Sequence, residues 1–203
     1  KAMYSFVSES FIKHGVSVAV INYNLTPSVR MGQIPPQICK SVAWIWHHSD
    51  ALGVDRDSLF VMGHSAGGHL TALMMATDWP AYDAALPVDI VRGGIPISGL
   101  FELEPLVHTS INEGPQMDVA EARVESPTFR PPLTDAPQLV VVGGAETREF
   151  LRQSDGYVSK FQTDKRIMER YDVPDADHFD ELERLAEADS VFFEKCMAMI
   201  ASV

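Results

Sequence analysis

Ser65 lies at the centre of Gly63-His64-Ser65-Ala66-Gly67, which fits the pattern G-x-S-x-G. Its setting gives the pattern meaning. An apolar run at 58–62 leads into it, and a helical stripe of Leu70, Leu73 and Met74 leads out. A serine on a sharp strand-to-helix turn presents its hydroxyl above a sheet, beside the positive end of a helix. The N–H of Ala66, one residue on, is then placed to stabilise an oxyanion. A small-residue turn that merely starts a helix would share these letters, but the strand before it and the helix after it favour a nucleophile.

A serine hydroxyl attacks well only when a base takes its proton, and histidine suits that task near neutral pH. Of the seven histidines, His14, His47 and His48 sit at the ends of helical patterns, where a cation suits the dipole. His64 and His69 flank Ser65 too closely for their rings to turn back onto its Oγ. His108 falls in an irregular stretch and could line a pocket. His178 follows a strand and a Pro-Asp-rich loop and precedes the last helix, which completes the chain order Ser, acid, His. The acid should close a strand between them. The apolar run at 138–142 ends in Gly143-Gly144-Ala145-Glu146, making Glu146 the first carboxylate past that strand. Asp155, Asp172, Asp175, Asp177 and Asp180 are rivals, whereas Glu149 is explained by its place in the first turn of a helix.

These residues need a scaffold, and the periodicity supplies one. Helices are expected at 3–14, 37–48, 150–162 and 182–200, the last broken near Asp189. Strands are expected at 16–23, 58–62, 90–98, 138–142 and 166–171. The β-branched run at 16–23 is apolar enough to be buried on both faces. A proline-rich irregular stretch spans 99–137. Such alternation predicts an α/β fold, with a mainly parallel sheet covered by helices on both faces, in one domain over 1–203.

Composition narrows the function. The 203 residues are 46% hydrophobic and 22% charged, as in an ordinary globular domain. A net charge of −12 argues against nucleic acid and an anionic membrane surface as partners. Cys39 and Cys196 match no metal or redox spacing and are expected as buried free thiols, which fits a reducing, cytoplasmic setting.

Taken together, the motifs resemble the α/β-hydrolase superfamily, in the branch of kynurenine formamidases (arylformamidases) and small carboxylesterases. The resemblance is carried by residues 63–70 (GHSAGGHL), 143–154 (GGAETREFLRQS) and 177–180 (DHFD), with 103–113 (LEPLVHTSINE) beside them. It implies Ser65 as nucleophile, Glu146 as acid, where many relatives carry Asp, and His178 as base. It also places 99–137 near the substrate mouth. The Asn22-Tyr23-Asn24-Leu25-Thr26-Pro27 segment resembles the loop after the family's fourth strand, so earlier strands and a His-Gly-Gly oxyanion loop are expected upstream of Lys1.

The expected activity is hydrolysis of a small ester or aryl-formamide through an acyl-enzyme on Ser65, with no cofactor and no metal. A dedicated N-formylkynurenine formamidase and a catalytically silent binding protein are the alternatives. The expected partner is a small-molecule substrate, and a homodimer is left open.

Overall fold

The computed structural model describes residues 2–203, with side chains from Tyr4 onward. Four strands, β1 (Phe60–His64), β2 (Gly93–Ile97), β3 (Gln138–Gly143) and β4 (Met168–Val173), form one parallel sheet in the order β1-β2-β3-β4. In the register of this sheet Met62 pairs with Ile95, Ile97 with Val141, and Val141 with Tyr171. Leu139, Val140, Val141 and Val142 are all buried, as a central parallel strand requires.

The period of two along β3 sorts its side chains between two cores. Leu139 and Val141 join Ile95, Ile97, Phe192, Phe193 and Cys196 on one face, while Val140 joins Phe101, Tyr157 and Phe161 on the other. The first face is covered by helices α1 (Ser8–Lys13), α8 (Asp180–Ala186) and α9 (Val191–Ala201). The second is covered by α4 (Ala66–Met75) and α7 (Arg148–Phe161), with α2 (Pro35–His47) packed outside α4. Short helices α3 (Ser49–Leu52), α5 (Trp79–Tyr82) and α6 (Val119–Glu125) complete the set. No helix among the described residues is long and apolar enough to cross a membrane. Cys39 and Cys196 are buried free thiols.

Several boundaries follow local chemistry. α2 opens on Pro35 and Pro36, whose missing N–H groups cost nothing at a helix start. The long helical pattern at 182–200 is split into α8 and α9, because Ser190 caps the second by accepting from the Phe193 N–H. The stretch 99–137 is not wholly irregular: it contains α6 and the 3₁₀ turns Glu104–His108, Ser110–Glu113 and Pro127–Phe129.

One expected strand is absent. Residues 16–23 pair with no neighbour and alternate between partly buried and exposed, Val16, Val18, Ile21 and Tyr23 facing inward. A β-branched run satisfies strand propensity, but a strand is defined by its ladder, and no partner among the described residues provides one. Among the described residues the sheet therefore has four strands rather than the five expected from the sequence.

Candidate active site

β1 delivers the chain to Ser65, which sits between β1 and α4 with φ 56° and ψ −114°. That conformation is costly for a residue with a Cβ and persists only where the surroundings enforce it. Here the Ser65 N–H donates to the Ile97 carbonyl at 2.8 Å, and the His69 N–H to the Ser65 carbonyl at 3.0 Å. Ala66 is the first residue of α4, so its N–H has no intrahelical acceptor and faces the dipole's positive end.

The glycines around the turn are not equivalent. A Cβ on Gly63 would meet the Gly67 carbonyl oxygen at 2.4 Å, and one on Gly68 would meet Gly99 Cα and the Ile97 carbonyl at 2.7 Å. A Cβ on Gly67 would meet nothing within 4 Å. We therefore expect Gly63→Ala to destabilise the fold by about 1–3 kcal/mol through backbone crowding. Gly67→Ala should be neutral or up to about 1 kcal/mol stabilising, since it removes a helical glycine. Chemical denaturation of the two variants checks this, and equal losses would contradict it.

β3 ends at Gly143, and the turn that follows brings Glu146 inward. His178, on the loop between β4 and α8, donates from Nδ1 to Glu146 Oε2 at 2.9 Å. The Glu146 side chain is 1% exposed and that of His178 25%. Burial pushes the Glu146 carboxyl up, but hydrogen bonds from His178 and Ser98, the charge of His178 and the Gly143 N–H outweigh it, leaving the carboxyl below its usual value. Burial likewise pushes His178 down, and the hydrogen bond and charge of Glu146 more than offset this, so its imidazolium is favoured. Rings of His64, Phe150 and Phe179 surround His178 at centroid distances of 4.5, 4.7 and 5.3 Å. No hydrogen bond joins the Ser65 hydroxyl to His178 among the described residues. Such contacts often tighten only with substrate bound.

The rival acids are engaged elsewhere. Asp155 and Asp172 pair with Arg170, and Asp177 accepts from the N–H groups of Phe179 and Asp180. Asp175 and Asp180 are exposed. His14 and His48 bond back to carbonyls one turn earlier, and His47 pairs with Asp83. His108 is exposed and is not part of the wall of the cavity beside Ala66; Leu106, from the same 3₁₀ turn, is.

That cavity, of about 280 Å³, opens beside Ala66 and is walled by Leu70, Leu100, Leu103, Leu106, Met31 and Met117 among others. His69 also lines it, but its Nε2 donates to the Glu125 carbonyl at 2.8 Å, and burial lowers its pKa to about 4. It is therefore a neutral wall group at neutral pH.

Three further polar residues support the site: His64, set aside above as a base, and Ser98 and Glu181, which the sequence did not single out. His64 Nε2 donates to the His178 carbonyl at 2.7 Å, fixing the loop that carries the imidazole. Ser98 follows β2 at φ 44° and contacts both Glu146 and Glu181, the latter fully buried at the start of α8. A serine directly after a buried strand was the available signal for Ser98. Glu181 reads from sequence as an ordinary acidic first-turn residue. His64, His178 and Glu181 bring potential metal-binding atoms within 4.8 Å of one another. With His64 Nε2 and His178 Nδ1 both committed to protein acceptors, we read this grouping as a hydrogen-bonded network.

The family model BD-FAE matches residues 1–84. A Silicibacter sp. crystal structure, provisionally described as a thioesterase, is 33% identical with a TM-score of 0.79, over 99% of this chain and 70% of that one. The chain belongs to the α/β-hydrolase family of kynurenine formamidases and esterases. Among curated proteins, this α/β-hydrolase is 29% identical to kynurenine formamidase of Salmo salar, over 91% of its own length and 62% of that protein. It is 27% identical to kynurenine formamidase of Danio rerio, over 96% and 66%. The chain thus spans just under two thirds of the length of these fish relatives.

Proposed function

We propose that the protein is a serine hydrolase that cleaves a small carboxylic ester or an aryl-formamide. The observation that carries this reading is the Glu146–His178 hydrogen bond at 2.9 Å, together with a serine held at φ 56° on a strand-to-helix turn. Ser65 Oγ attacks the carbonyl carbon and its proton passes to His178 Nε2. Glu146 holds the imidazole in the tautomer that leaves Nε2 free to accept and stabilises the imidazolium that forms. The Ala66 N–H donates to the developing oxyanion. Collapse of the intermediate expels the alcohol or amine, which takes the proton from His178. A water, deprotonated by the same imidazole, then attacks the acyl-enzyme to release the acid and restore Ser65.

The apolar cavity beside Ala66 suits an uncharged acyl or aryl group. The likeness to kynurenine formamidases favours, as a second reading, a dedicated N-formylkynurenine hydrolase. Short p-nitrophenyl esters and N-formylkynurenine, compared on the full-length protein, separate the two readings by their kcat/KM ratio.

The direct test is labelling with a fluorophosphonate probe followed by peptide mass mapping. An adduct on Ser65 that is lost in Ser65→Ala supports the mechanism. An unreactive protein would leave the fold serving as a binding module.

The scheme also fixes a pH dependence. His178 must be neutral to act as base, and its pKa is raised. The acid limb of kcat/KM should therefore have its midpoint above about 6.5, the ordinary histidine value. A midpoint below that value would contradict the Glu146–His178 pairing.

A further inference from the structure

Behind the Glu146–His178 pair lies a second carboxyl that the scheme above does not use. Ser98 Oγ is in close contact with Glu146 Oε1 and lies 2.9 Å from Glu181 Oε2. Both Ser98 and Glu181 are fully buried. A hydroxyl has one hydrogen, so it can donate to only one of the two carboxyls. Were both ionised, one of these contacts would set two oxygens against each other with no proton between them, out of reach of water. We infer that Glu181 is a protonated, neutral carboxyl that donates through Ser98 to Glu146, and so acts as a positioning residue for the acid of the site. This deepens the proposed mechanism and takes its function from it.

The contacts decide where the proton sits. Glu146 accepts from His178 Nδ1, from Ser98 and from the Gly143 N–H at 3.3 Å, a set of donors that suits a carboxylate. Glu181 Oε1 has no hydrogen bond. It lies 3.0 Å from His64 Nε2, but that N–H is directed at the His178 carbonyl, so proximity here is not pairing. An unpartnered oxygen with no exposure is costly on a carboxylate and far less so as the carbonyl of a neutral acid. Burial also pushes the Glu181 carboxyl up; the nearness of His64 and the hydrogen bond with Ser98 pull the other way, the charge of Glu146 adds to the rise, and the balance is upward. The polar groups facing Glu181 are thus Ser98 from the end of β2, Glu146 from the loop after β3, His64 from the end of β1 and His178 from the loop after β4.

The arrangement is consistent to the last hydrogen. Glu181 Oε2–H donates to Ser98 Oγ, and the Ser98 hydroxyl hydrogen goes to Glu146 Oε1. The positive φ of Ser98, with its N–H held by the Val141 carbonyl at 2.8 Å, is the backbone strain that keeps the hydroxyl between the two acids. Functionally, the held proton leaves one negative charge rather than two behind His178. A second charge would raise the imidazole's pKa further and take more of the base out of its active form at neutral pH.

Infrared difference spectroscopy on full-length wild type against Glu181→Gln at neutral pH tests the proton without reference to activity. The expected result is a protonated-carboxyl C=O band in wild type that is missing in Glu181→Gln. A difference confined to carboxylate bands would overturn the inference, whether or not Ser65 proves to be the nucleophile. Turnover tests the positioning role. Glu181→Gln keeps a neutral donor for Ser98, whereas Glu181→Leu does not. The amide variant should exceed the leucine variant in kcat by roughly tenfold, the rate equivalent of a hydrogen bond to a charged group. Equal activity in the two would remove the positioning role. If Glu181→Leu does not fold, Ser98→Ala serves in its place, with the same roughly tenfold deficit expected.

Discussion

Ser65→Ala and His178→Ala should each lower turnover of the preferred substrate by up to about 10⁶-fold, with the fold retained. The size of the effect comes from joint action: a nucleophile without its base and a base without its nucleophile are almost equally idle. The double variant should therefore be little slower than either single one. Residual turnover would reflect substrate binding and the Ala66 N–H alone. Neither substitution threatens the scaffold. Alanine at 65 keeps the backbone bonds to Ile97 and His69, and His178 is on a loop with a quarter of its side chain exposed. Steady-state kinetics with a thermal melt as control is the measurement. Near-normal activity in Ser65→Ala would sink the assignment.

Glu146→Gln should cost about 10⁴-fold in kcat while preserving shape. A glutamine can offer its N–H to His178 Nδ1 and so stabilise the tautomer with the proton on Nε2, which cannot accept from Ser65. It also removes the charge that raises His178, so the acid limb of whatever activity remains should move to lower pH. Asp155→Asn, Asp175→Asn and Asp177→Asn should each stay within about tenfold of wild type, because these carboxyls face arginine, solvent or backbone N–H groups. A crippling effect in any of the three would transfer the acid's role away from Glu146.

The same pair contributes to stability in a defined window. The raised His178 pKa means its contribution is complete below the unfolded histidine value and is lost as pH rises through the folded one. The lowered Glu146 pKa means its contribution is present above the unfolded carboxyl value and lost as pH falls through the folded one. The pair thus supports the fold most between those two limits.

The sequence by itself determined the alternation of apolar runs and helical stripes, and with it a parallel sheet whose strand ends carry the turn at Ser65, the loop to Glu146 and the loop to His178. These features are local: a glycine-flanked turn, a buried β-branched strand and a chain order are all written in consecutive residues. The tertiary structure decided what depends on partners distant in the chain. Residues 16–23 have strand chemistry but no ladder, because a ladder is a property of two segments. Gly68, outside the G-x-S-x-G letters, is crowded and Gly67, within them, is not, since crowding depends on where Gly99 passes. Ser98 and Glu181 are separated by 83 positions and meet only because β2 ends where α8 begins. A proton held on one of two buried carboxyls has no signature in sequence, because burial, distance and donor count are what fix it.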